Sequence, residues 1–508
     1  MGIIQQRVVT YPELSTLFDS SWIKAQHMRR VLAPAKGWRP RVFGTEFDQH
    51  QSWGLGCAIR HDGFIIAADT GMGKTKMALD AIDFWMMERG AKHALVITGN
   101  PTSTYEWMEQ GEKYGRFAVT DVRGTTDQRR AALMHFPETP ILATDYKTLQ
   151  HTFAAKQKVG RKSKFVPDVD KLVAWGRMFD IIVLDELHHV KNPATLCHQI
   201  IAALVTEIKY RLGLTGTPFD RHPEHAWAQF NVIDRGATFG SHHDFLGYFF
   251  EAKQSFWSMY QVDYKLRKER KEDFRRRVRH RLIRITKAEA PNMPDVQRAI
   301  VNLKPSPGTW ELMQEARARV KDAWARKEQH SEFSYLRQLC SGLIRKATED
   351  GTSITLRAAS STKIDWLLAK LEELPDEEQL VVFYEFRESG AWVHEALTAA
   401  KEKVSWLYGG MGGQEMIVLE AWLKKRTRVL LTQTQKAAES LNLQQAAYLV
   451  QYESPVTYAQ EKQSLARVGG RIGGRASIVY TLTVKNSQEL KILDLIRQGK
   501  HTMQDLLE

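Results

Sequence analysis

The chain has 508 residues, 43% hydrophobic and 26% charged, which is the balance of a globular protein and excludes a disordered one. That length is too great for a single core and requires two or three domains, and no run of about 18 apolar residues is present to cross a membrane. A net charge of +13 and a pI near 9.4 favour an anionic partner, most simply nucleic acid, while three scattered cysteines, Cys57, Cys197 and Cys340, exclude a disulfide framework or a zinc module.

The amino terminus, MGIIQQRVVTYPELSTLF, lacks a secretory apolar segment, and Gln6 stands where a myristoylation signal needs Ser or Thr, so a cytoplasmic protein with no membrane partner is expected. The first strong element is IIAADTGMGKTKMALD at 65 to 80. Ile65 to Ala68 read as a buried strand, and Met77, Ala78, Ala81 and Ile82 recur at helical spacing. Between them Gly71 and Gly73 let consecutive backbone N–H groups curl around a phosphate at a helix N-terminus. Lys74 would reach the outer phosphates and the Thr75 hydroxyl would reach Mg²⁺, the arrangement of a P-loop that takes ATP and Mg²⁺.

Further apolar runs follow at helix-sized intervals: ALVIT (94 to 98), ILAT (141 to 144), IIVLD (181 to 185) and LGLTG (212 to 216). Strands spaced by helices predict a parallel sheet covered on both faces. IIVLDELHHVKN delivers Asp185 and Glu186 at a strand's C-terminal end, where ligands sit in open α/β sheets. Asp185 would hold Mg²⁺, directly or through water, and Glu186 would orient and activate an attacking water. His188, in the order Asp-Glu-x-His, is read as a coupling residue.

KQKVGRKSK at 156 to 164 reads as a basic loop. Residues 236 to 355 show few strand signals and read as mainly helical. They contain KLRKERKEDFRRRVRHRLIRITK, 265 to 287, in which twelve Lys and Arg face three acids, a net +9. Arg275, Arg276 and Arg277 are candidate nucleic-acid contacts there. A second strand series runs through QLVVFY (379 to 384), RVLLT (428 to 432), AYLVQ (447 to 451) and ASIVYTLTV (476 to 484). The expected organisation is an extension at 1–36, an α/β lobe at 37–235, the basic helical region at 236–355 and a second α/β lobe at 356–508.

With those residues in place, the chain resembles the Swi/Snf family of superfamily-two helicase-like ATPases over roughly residues 45 to 500. FDQHQSWGL looks like the family's segment ahead of the P-loop, which implies that Gln51 reads adenine. ITGNPTSTYEW and ILATDYKTL look like strand-end motifs that hold the DNA backbone, implying phosphate contacts from Thr102, Ser103 and Thr144. LGLTGTPF resembles the motif whose Thr215 and Thr217 couple the nucleotide to DNA, and RHRLIRITKAEAPNMP resembles the family's Arg-Arg-x-Lys segment. In the second lobe LYGGMGG, TQTQKAAESLNL with Thr434 as a DNA contact, and QEKQSLARVGGRIGG with Gln463 at the nucleotide are similar to family motifs. The family separates its final arginines by two residues; here three stand between Arg467 and Arg471, two of them Gly469 and Gly470. Arg471 is expected as the main finger and Arg467 as its support, with the glycines as a bulge between them.

The resemblance implies two RecA-like parallel-sheet lobes with a helical, basic intervening region, ATP between the lobes, and double-stranded DNA gripped through its backbone with little sequence specificity. The implied function is an ATP-dependent double-stranded-DNA translocase; a strand-separating or branch-migrating helicase and an ATP-gated DNA clamp are the alternatives. Nothing resembles a histone-tail reader or a ring-finger domain, so a bacterial or viral motor is expected, in the cytoplasm with the nucleoid or in a host's cytoplasm.

Overall fold

Seven segments between residues 63 and 285 pair side by side in one direction. In this computed structural model the described residues are 3–5, 49–69, 71–122, 126–134, 139–159, 162–216, 218–219, 222–254, 262–286, 296–325, 329–347, 353–411, 414–435, 443, 445–454, 461, 465 and 477–497. The chain forms two compact units, Pro12–Pro291 and the combination of Met1–Tyr11 with Asn292–Glu508.

The first unit holds strands β1 (Gly63–Ala68), β2 (Ala94–Thr98), β3 (Val119–Asp121), β4 (Ile141–Asp145), β5 (Ile181–Leu184), β6 (Tyr210–Thr215) and β7 (Leu282–Ile285). Their order in the sheet is β7-β1-β6-β5-β2-β4-β3, with every neighbouring pair parallel. Every residue of β1, β2, β4, β5 and β6 is buried, which is why these strands read as unbroken apolar runs and not as alternating ones. Pairing of Ala67 with Thr215, Gly213 with Leu184, and Leu184 with Ile97 brings the C-terminal ends of β1, β6, β5 and β2 to one edge.

The edge strand β7 is fastened to β1 by Arg284. Its guanidinium donates to the Ala67 carbonyl at 2.9 Å and the Ile285 carbonyl at 3.0 Å, and it pairs with the Asp69 carboxylate. The Arg284 and Asp69 side chains are 12% and 10% exposed. This clasp sits on the residue that follows β1, so it fixes where the glycine loop begins.

The second unit holds β8 (Val296–Leu303), β9 (Leu380–Tyr384), β10 (Val404–Leu407), β11 (Val429–Gln433), β12 (Tyr448–Gln451) and β13 (Ser477–Val484), with the short strand Ile3–Gln5 antiparallel on β8. The order is Ile3–Gln5, β8, β13, β12, β9, β11, β10, and β8 to β13 pair in parallel. A buried Lys363–Glu489 pair at 2.6 Å, with Lys363 also donating to the Tyr452 carbonyl at 2.9 Å, ties the helix Thr362–Glu373 to the sheet's end.

The expected two-lobe α/β architecture is thus present. Residues 236 to 355 carry more helix than strand among the described residues, yet they also supply β7 to the first sheet and β8 to the second. The stretch KQKVGRKSK is not a loop: Ala154–Val159 and Lys162–Pro167 form an antiparallel hairpin.

Removing one partner of the clasp leaves the other charge buried. Arg284→Ala is expected to lower the unfolding free energy in urea by about 3 to 5 kcal/mol, with Asp69→Ala similar and the double variant well short of their sum. Additive losses would show that the two side chains do not interact.

Candidate active site

The glycine loop runs from the end of β1 into helix α2 (Lys74–Arg89) and is braced by helix α1 (Gln49–Ala58). Gly71 and Gly73 have φ of +89° and +76°, a region that suits residues without a Cβ. A Cβ on Gly73 would lie 2.6 Å from the Gln51 amide nitrogen, so α1 closes over the loop. Also from α1, the buried His50 ring bonds to the Met72 carbonyl at 3.2 Å. Gly73 is the N-cap of α2 and provides no side-chain cap, which leaves first-turn N–H groups to an outside acceptor. Lys74 Nζ donates to the Ala68 carbonyl at 3.0 Å, folding the ammonium back over the loop. Two left-handed glycines, an uncapped helix start and a cation make a cradle that fits a phosphate chain.

Asp185 follows β5 at the same edge of the sheet. Its Oδ1 accepts from the Glu186 N–H at 2.9 Å, and its Oδ2 accepts from the Trp107 indole N–H at 2.9 Å, reaching in from helix α3 (Pro101–Tyr114). Burial, and then the charge of Glu186, pushes the Asp185 carboxyl above the ordinary range; the Trp107 N–H and the Lys74 ammonium draw it back. That pull places Lys74 and Asp185 in one electrostatic site.

Glu186 adopts φ +51°, a left-handed conformation that costs a non-glycine residue about 1 to 2 kcal/mol. Its Oε2 lies 3.3 Å from His188 Nδ1. His188 stacks on His189 with ring centroids 4.8 Å apart, and His189 on Tyr146 at 5.1 Å. The Tyr146 hydroxyl donates to the Asp185 carbonyl at 3.0 Å, closing a ring of contacts around the Asp-Glu turn. Burial, helped by His188, lowers the His189 pKa to about 4, so this ring is neutral at pH 7.

Among the described residues no three His, Cys, Asp or Glu side chains cluster so as to hold a metal. Magnesium at this site would therefore take Thr75 and Asp185 from the chain and complete its shell with phosphate and water oxygens.

The other candidates fall into three groups. Thr215 ends β6, fully buried and paired with Ala67 in the strand register. Thr102 and Ser103 lie in the first turn of α3, and the Ser103 N–H donates to Asn100 Oδ1 at 3.1 Å. Thr144 is 1% exposed with no partner for its hydroxyl, and the Thr434 hydroxyl, also buried, donates to the Tyr384 carbonyl at 3.4 Å. Neither hydroxyl faces outward in this structure. Thr217, Gln463, Arg467 and Arg471 lie outside the described residues.

The basic run is helix α4 (Lys271–Arg279) with its flanks, and much of its charge is spent locally. Arg275 and Arg279 pair with Glu272, Arg276 and Arg277 with Asp273, and Arg277 donates to the Thr238 carbonyl at 3.2 Å. Arg276 keeps its side chain 71% exposed.

Sequence reasoning missed Trp107, Tyr146, His50 and the Asp69–Arg284 clasp. Trp107 and Tyr146 stand inside the segments ITGNPTSTYEW and ILATDYKTL, but no local pattern shows that both reach Asp185.

The family model described as SNF2-related domain matches residues 45–349, and that described as Helicase conserved C-terminal domain matches 362–473. Protein CHROMATIN REMODELING 24 of Arabidopsis thaliana is 27% identical over 199 residues, 38% of this chain and 17% of that protein. The DNA annealing helicase and endonuclease ZRANB3 of Bos taurus is 25% identical over 190 residues, 36% of this chain and 15% of that one. The matches thus span less than a fifth of either relative's length. Among solved structures, the Sulfolobus solfataricus SWI2/SNF2 ATPase core in complex with dsDNA is similar at 18% identity and a TM-score of 0.41, covering 93% of this chain and 98% of that one. The Pyrococcus furiosus Hef helicase domain is similar at 12% identity and 0.48, covering 87% and 96%.

The neutral His189 makes a measurable contribution. Its folded pKa is about 4 against about 6.5 unfolded, so stability present above the higher value is lost as pH falls toward the lower. His189→Phe keeps a ring in the stack but no proton site. Between pH 7 and 5 the unmodified chain should lose about 2 kcal/mol more unfolding free energy than the variant. Equal losses in urea titrations would contradict a buried neutral imidazole.

Proposed function

The chain belongs to the SNF2-related family of helicase-like ATPases, and from that membership we propose that it hydrolyses ATP to translocate along double-stranded DNA. The observation that carries the nucleotide chemistry is the convergence of Lys74, Asp185 and Glu186 on the glycine cradle at the aligned ends of β1 and β5. Bound ATP with Mg²⁺ supplies the γ-phosphoryl group whose transfer to water is the reaction.

The residues divide the work. The loop N–H groups and Lys74 bind the phosphates, and Gln51, already against Gly73, closes the adenine side. Thr75 and Asp185 provide the oxygen ligands. Glu186, fixed by its strained backbone and the hydrogen-bonded turn around it, orients the water and takes its proton on the carboxylate. His188 at 3.3 Å and Thr215 relay the state of the site, together with Thr217. Arg471, supported by Arg467, meets charge on the transferring group with its planar fork.

Double-stranded DNA as the track is supported by the SNF2-related match, by the naming of a DNA annealing helicase among the relatives, and by a net charge of +13. A motor that moves over any sequence must grip phosphates and not base edges. Arg276, with its side chain 71% exposed, is the contact most open to that role; Ser103, Thr144 and Thr434 are buried and would first have to turn their hydroxyls out.

Glu186→Gln should bind a fluorescent ATP analogue as the unmodified chain does, while losing phosphate release and the ability to displace the third strand of a DNA triplex. Wild-type hydrolysis by this variant would remove Glu186 as the base. Unwinding of forked duplexes without triplex displacement would favour strand separation over translocation.

For the arginines, Arg471→Ala should lower kcat by at least about a hundredfold at saturating ATP and DNA, with Arg467→Ala affected less. The reverse ranking would make Arg467 the finger.

A further inference from the structure

Residues 154 to 167, AAKQKVGRKSKFVP, carry five cations and no acid in a two-stranded hairpin outside the main sheet. The chain's other concentration of charge, α4, closes onto Glu272 and Asp273; the hairpin has no counterpart to those acids. Lys156, Lys158 and Lys164 are exposed and have no ion-pair partner among the described residues. Lys156 faces Phe165 across the strands, and that ring is 58% exposed, so the same face shows cations beside an apolar surface.

The root of the hairpin is rigid. Phe153 immediately before it is buried and packs on Trp175 with centroids 5.0 Å apart. The Asp168 N–H immediately after it donates to the Phe153 carbonyl at 2.8 Å, and the Asp168 carboxylate caps the helix Val169–Gly176. Two strands alone are marginal in water, and Lys156 and Lys158, two residues apart on one face of a strand, repel each other. A polyanion laid along the hairpin relieves that repulsion, and a rigid root keeps the lysines at a fixed place relative to the first unit's core.

We propose that this hairpin is an accessory contact to the sugar-phosphate backbone of duplex DNA, made by Lys156, Lys158 and Lys164. It rests on the reading of the chain as a duplex-DNA motor and adds to that reading a grip outside the basic run. The backbone is the partner because the three lysines are point charges on a flexible stem, suited to phosphates at any sequence and lacking the planar fork that reads base edges.

The test uses the full chain and a variant carrying Lys156→Gln, Lys158→Gln and Lys164→Gln, with fluorescently labelled duplex and single-stranded DNA of equal length, bound across a range of salt. Each lost contact flattens the slope of log affinity against log salt by about 0.9, so the variant's slope on duplex should be shallower by about 2 to 3, with weaker binding. The variant with the same three lysines changed to Arg should keep both affinity and slope, which separates lost charge from a damaged fold. An unchanged slope in the Gln variant, or a change confined to single strands, overturns the hairpin contact while the motor reading stands. Failure of the unmodified chain to bind duplex at all overturns the motor reading, and the hairpin contact with it.

Discussion

The site depends on putting a cation and a buried carboxylate around one glycine turn. Asp185 is enclosed and stands beside another acid, both of which oppose its ionisation. Trp107, the Glu186 N–H and Lys74 oppose that opposition, so the carboxylate's charge is held by donors that come from three different segments. None of this geometry survives a shift of β5 against β1, and the continuous burial of the central strands prevents one: a slip in register would put Gly213 and Thr215 out of line with Leu184 and Ala67. The Arg284–Asp69 clasp does for the beginning of the loop what α1 does for its end.

Charge in this protein is not a single reservoir. The densest run in sequence folds into a helix whose arginines find Glu272 and Asp273 one turn away, the i, i+3 and i, i+4 spacing that such pairs need. Two of its flanking arginines, Arg281 and Arg284, bond to backbone carbonyls of β1 and serve the sheet. The hairpin, with less charge in sequence, has no acid of its own to pair with its cations. Counting cations along a chain therefore overstates one surface and understates another, because it ignores which acids the fold returns to each.

The strands that sequence revealed are those buried on both faces, since a run such as IIVL or LVVFY has no other use in a chain of this composition. Those it concealed have mixed character: LIRI in β7 carries Arg284 through its middle, and VSWL in β10 is short and half-buried. The glycine loop was legible because its glycines are needed for φ alone, which is a local property. Trp107 and Tyr146 were not, because their roles arise only when α3 and β4 come beside β5. Thr144 and Thr434 show the complementary point: a strand-end motif names the residue but not where its hydroxyl lies, and here both are buried. The basic stretch at 156 to 164 reads as a loop in sequence because glycine and lysine dominate it and strand propensity there is weak.

The most direct test of the central claim is phosphate release by the unmodified chain, measured with ATP and Mg²⁺ in the presence and absence of duplex DNA. Turnover that requires Mg²⁺ and rises severalfold or more with duplex is the expected result, since the Asp-Glu turn and Thr215 share one edge of the sheet. Turnover that is indifferent to duplex, or absent under both conditions, would contradict it.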